Sequence, residues 1–65
     1  MCQAKILLRE PQGERVFMQD VIHLRVEDGT VWLKRLFEQP VQLQATLLEA
    51  DFLKHTVTLL PSEST

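Results

Sequence analysis

Apolar and polar residues alternate with a period of two along nearly the whole chain. That is the pattern of half-buried β-strands. Cys2, Ala4, Ile6 and Leu8 alternate with Gln3, Lys5, Leu7 and Arg9, which predicts a first strand. Pro11, Gln12 and Gly13 predict a turn. Val16 and Met18 belong to a second strand, bent near Gln19 and Asp20. Beyond the bend, Ile22, Leu24 and Val26 alternate with Val21, His23, Arg25 and Glu27. Asp28-Gly29 is a strong signal for a two-residue hairpin, and a strand over residues 30–37 follows. A loop of Glu38, Gln39 and Pro40 leads to Val41, Leu43, Ala45 and Leu47, which alternate with Gln42, Gln44 and Thr46. The parity slips at Leu47-Leu48, where a bulge would re-aim the strand. Residues 49–55 read as a turn with Phe52 and Leu53 as plugs. Residues 56–60 read as the last strand.

A two-residue turn at Asp28-Gly29 fixes the register by counting. Glu27 faces Thr30, Val26 faces Val31, Arg25 faces Trp32, Leu24 faces Leu33 and His23 faces Lys34. One face is then a core face and the other carries Arg25, Trp32, His23 and Lys34. Trp32 is expected on the outer face under the Arg25 guanidinium. The shared parity predicts a core of Ile6, Leu8, Leu24, Val26, Val31, Leu33, Leu43 and Ala45. Five short strands with no convincing helix predict an all-β fold, a small antiparallel barrel whose closure removes exposed sheet edges. Residues 1–60 are expected to form one barrel domain, and residues 61–65 a disordered tail.

Length and composition narrow the function. A 65-residue chain can build only a marginal core. Its single cysteine excludes an internal disulfide, which points to a reducing compartment, an intermolecular bridge or a metal. No apolar run is long enough to cross a bilayer, and no signal peptide is visible. The expected location is the cytoplasm. Seven basic against nine acidic residues give a formal charge of −2, which disfavours nucleic acid as a partner. Arg25, Lys34 and Arg35 form at most a small basic patch, more simply read as a solvated face.

Few residues carry candidate chemistry. The sequence has no Gly-rich phosphate loop, and one cysteine with two histidines cannot close a four-ligand zinc site in one chain. No third group presents itself to orient a base for Cys2, so an enzyme is not expected. His23 reads as a solvated surface residue and His55 as a turn residue bonded to backbone. Cys2 is the distinctive feature. Its nitrogen and sulfur can close a five-membered chelate ring on a metal. The plainer reading is a small apolar residue at the start of a strand.

The opening Met1-Cys2, residues 20–33 (DVIHLRVEDGTVWL), the Leu36-Phe37-Glu38 step and residues 49–55 (EADFLKH) resemble the CooT family. Those are small nickel-binding proteins associated with maturation of nickel-dependent carbon monoxide dehydrogenase. The resemblance covers nearly the whole chain. It implies an SH3-like barrel, a homodimer, and Ni(II) bound through Cys2. Only Cys2 carries over as a ligand, and the implied role is a nickel chaperone or sensor serving a nickel enzyme or its maturation factors. The loop of Glu38, Gln39 and Pro40 lacks the glycine the pattern leads one to expect. The competing reading is a metal-free module that binds RNA or a protein through the face around Arg25, Trp32 and Lys34, a reading that rests on fold analogy.

Overall fold

The structure, a computed structural model, describes residues 3–62. It is all-β. The strands are β1 (Ala4–Glu10), β2 (Gly13–Glu27), β3 (Thr30–Arg35), β4 (Val41–Asp51) and β5 (Thr56–Pro61). Each pairs with the next, and β5 pairs back with β1 to close a barrel. Successive strands run antiparallel. In a five-stranded meander the first and last strands point the same way, so the closing β1–β5 pair is parallel.

The β2–β3 hairpin has the predicted register, from Glu27 opposite Thr30 to His23 opposite Lys34. Asp28 and Gly29 both have positive φ, 52° and 78°, as a type I′ turn requires. Strand β3 stops at Arg35 rather than running on to Phe37. Glu38 N–H donates to Arg35 O at 3.2 Å and turns the chain before Phe37 can pair.

Strand β2 makes the corner of the barrel. Its first part pairs with β1 and its last part only with β3. Against these partners it carries extra residues at Phe17, at Gln19-Asp20 and at Ile22. Each such bulge bends the strand and reverses which side chains face inward. That reversal corrects the core expected from simple alternation. Val21 is buried and Ile22 is exposed, the opposite of the expectation. Val26 is 44 % exposed although its partner Val31 is fully buried, because that end of β2 has a neighbour on one side only. The predicted bulge in β4 is present, with Leu48 as the extra residue between the pairs Leu47–Leu59 and Glu49–Thr58.

The core consists of Ile6, Leu8, Val21, Val31, Leu33, Ala45 and Leu59, with Leu24 and Leu43 half-buried against it. Burying each large member stabilises the fold by roughly 1.5–3 kcal/mol. Thr30 is buried as well, and its hydroxyl accepts a 3.0 Å hydrogen bond from the Gln44 side chain. Beyond β5, Ser62 N–H donates to Gln44 O at 2.9 Å.

Candidate functional site

One row of paired residues crosses all five strands. Arg35 pairs with Val21, Val21 with Ala4, the adjacent Lys5 with Thr56, and Thr56 with Asp51. This row is the rim of one barrel end. The chain enters the barrel there, at Gln3. The β2 corner and the β4–β5 turn meet there too.

At the rim the barrel opens into an apolar groove of about 390 Å³. Leu24, Val57 and Ile6 line its floor, and Ile22, Leu47, Ala50 and Phe52 line its sides. Gln3, His23 and His55 also line it. The β4–β5 turn that carries Phe52 and His55 is organised by Asp51. Its Oδ1 accepts hydrogen bonds from Leu53 N–H and Lys54 N–H, both at 3.1 Å. This Asx turn puts residues 52 and 53 at the tip of the hairpin. Phe52 and Leu53 are therefore 82 % and 91 % exposed, and they do not plug the barrel as expected. His55 follows with φ at +56°. The contact found at His55 belongs to its main chain, since Lys5 N–H donates to its carbonyl at 2.8 Å.

The predicted metal ligand, Cys2, lies outside the described residues. Among the described residues no three His, Cys, Asp or Glu side chains gather as a metal would need. Both histidines are nonetheless among the residues that line the groove. Sequence reasoning separated them, putting His23 on the outer face beside Trp32 and His55 in a distant turn. The groove was not legible because the bulge at Ile22 re-aims that stretch of β2.

The outer face of the β2–β3 hairpin is as expected in geometry. The Arg25 guanidinium lies 4.0 Å from the centre of the Trp32 ring, a cation–π contact. Its charge is also paired with Glu27, and Arg35 is paired with Glu38 at 2.8 Å. Two of the three charges in the basic patch are thus compensated, which weakens its attraction for phosphate. Among the described residues no helix is long and apolar enough to cross a membrane.

A family model described as the CO dehydrogenase accessory protein CooT matches residues 1–60. The chain belongs to the CooT family. CooT proteins are accessory proteins of CO dehydrogenase and not enzymes themselves. A crystal structure solved as a candidate CooT from Carboxydothermus hydrogenoformans superposes with a TM-score of 0.81. It shares 19 % identity and the match covers 95 % of this chain and 100 % of that one. At that identity the likeness establishes the CooT fold alone. No curated protein matches the sequence.

Proposed function

We propose that this CooT-family chain is a nickel-binding accessory protein in CO dehydrogenase maturation. It holds Ni(II) through Cys2 at the interface of a homodimer and works in the cytoplasm as a nickel chaperone or sensor. The observation that carries the reading is the span of the family match. It begins at residue 1 and so includes position 2, where the chain has its one cysteine.

The chemistry of that donor set supports it. A thiolate and a deprotonated nitrogen on one residue favour a square plane around Ni(II). A metal on a two-fold axis takes equal ligands from both chains. Two Cys2 residues then supply two sulfurs and two nitrogens, and no position is left for hydrolytic chemistry. The apolar rim beside Gln3 adds support, because a second copy facing it would remove exposed apolar surface from water.

The test is a nickel titration followed by ultraviolet absorption, with sedimentation in parallel. One Ni(II) per two chains is expected, with a thiolate-to-nickel charge-transfer band. Ligation releases protons, and a free thiol ionises at about pH 8.5. Affinity should therefore rise steeply from about pH 6 to about pH 8. Cys2→Ser should abolish the band and tight binding while leaving the barrel folded. Tight binding by the Cys2→Ser protein, or a monomer with and without nickel, sinks the reading.

A further inference from the structure

We infer that the barrel mouth is a self-docking surface: Phe52 of one copy seats in the apolar groove of a second copy, and the second copy's Phe52 seats in return. The two-copy state rests on the homodimer reading above; the choice of surface does not.

Phe52 is 82 % exposed in the turn between β4 and β5. The two Asp51 hydrogen bonds fix that turn, so presenting the ring requires little further ordering of the main chain. The same residue borders the groove of about 390 Å³. A hollow of that size takes a small organic ligand, and so is ample for one phenyl ring. Knob and hole therefore share one face. That is what a two-fold interface needs, because each copy must give what the other receives. Charge favours the same occupant. Among the described residues, those that line the groove include no Asp, Glu, Lys or Arg, although these make up 25 % of the chain. Inside the groove a second copy of this chain, of formal charge −2, meets no like charge. A partner selected by opposite charge would find nothing there to pair with. Area points the same way. A folded monomer of 7.5 kDa is expected to expose about 4,250 Å², and this chain exposes 4860 Å². The excess of roughly 600 Å² reaches the low end of the about 600–1,000 Å² that each partner loses in a stable interface. Ile22 and Leu47 border the groove and are exposed as well, so the apolar patch extends beyond the ring itself. Gln3, the residue that follows Cys2, also lines the groove.

The test is sedimentation of the full-length protein, kept reduced and freed of metal by a chelator, beside its Cys2→Ser and Phe52→Asp variants. The parent and Cys2→Ser should both be dimers, because an apolar contact needs neither thiol nor nickel. Phe52→Asp should raise the dimer dissociation constant at least about thirtyfold, the scale of an interface anchor. Its circular-dichroism spectrum should be unchanged, because the side chain is exposed. Mixing labelled with unlabelled copies reads the contact directly. Isotope-filtered nuclear Overhauser effects should run from the Phe52 ring of one copy to the Leu24 and Val57 methyls of the other, which line the groove. A metal-free monomer overturns the inference and leaves the groove to a different occupant. So does a Phe52→Asp dimer of parental affinity, or a dimer without those effects. The nickel reading fails separately. A metal-free dimer that shows no thiolate-to-nickel band when nickel is added keeps this surface and loses the Cys2 site. A chain that dimerises only with nickel keeps the Cys2 site and loses this surface.

Discussion

The two ends of the barrel solve the same backbone problem differently. Away from the mouth, the turns after β1 and before β3 rely mostly on glycine: Gly13 has φ +133° and Gly29 has φ +78°, with Asp28 beside it at φ +52°. At the mouth the left-handed positions are Asp20, Phe37 and His55, none of them glycine. Each such residue costs about 1–2 kcal/mol relative to an ordinary conformation. The surfaces differ as well. Near the β1–β2 turn, Arg9 pairs with Glu14 and Arg15 with Glu10. The rim instead exposes Ile22, Leu47, Phe52 and Leu53. The glycine turns are arranged for stability and solubility. The mouth holds more of the left-handed non-glycine residues and more bare apolar surface, the combination expected where something binds.

The largest expected effect removes what both ends share. Leu33 is fully buried at the centre of the core. Leu33→Ala should cost about 2–5 kcal/mol, enough to unfold so small a domain. Thermal melting should show both ends lost in one transition. A mouth that melts separately would mean the two ends are not one cooperative unit.

Next comes the conformational contrast itself. A Cβ at Gly29 would meet nothing within 4 Å, so Gly29→Ala isolates the cost of positive φ. It should destabilise by about 1–2 kcal/mol. The reverse change at the mouth should have the reverse sign. Phe37 is 94 % exposed, so Phe37→Gly loses almost no packing and relieves the strain. It should stabilise by about 0.5–1 kcal/mol, the left-handed cost less the added chain entropy of glycine. Denaturant midpoints measure both. Phe37→Gly that destabilises would show that the phenyl ring is held by contacts in solution.

The same division marks what could be read from sequence. The β2–β3 hairpin was legible to the residue, because Asp28-Gly29 specifies its own turn and a turn fixes register. The β4 bulge was legible from two adjacent leucines at positions 47 and 48. The β2 corner was legible only in part: the bend near Gln19 and Asp20 was expected, the extra residues at Phe17 and Ile22 were not. Three extra residues are absorbed there, and no glycine or proline marks them. Each reverses the parity, so Val21 and Ile22 exchanged faces and the mouth was hidden with them. Phe52 and Leu53 looked like core by their chemistry. The signal to the contrary was Asp51, which can accept from the two amides beyond it and force a tip. For the site, Cys2 stood out by position and by family resemblance, whereas the groove that His23 and His55 both line depends on barrel closure, which local pattern does not encode.

The smallest effect concerns the charged end. Arg9 and Glu14 stand directly opposite across β1 and β2. Arg9 donates to Glu14 through Nη2 at 2.9 Å and Nε at 3.3 Å, both to one oxygen. The side chains are about half exposed, at 50 % and 42 %. Water competes for both charges, and ordering two long side chains offsets part of the attraction. A double-mutant cycle with Arg9→Ala and Glu14→Ala should give a coupling of about 0.2–1 kcal/mol. Near 1 M salt the screening length falls to about 3 Å, so the coupling should largely vanish. The mouth variants should respond differently, because salt does not screen backbone strain. The Phe37→Gly gain should survive the same salt within about 0.3 kcal/mol, the usual limit of additivity for independent sites. A coupling well above 1 kcal/mol that persists in salt would mean the Arg9–Glu14 pair fixes the β1–β2 register, and the end read as merely solvated would then share in holding the fold.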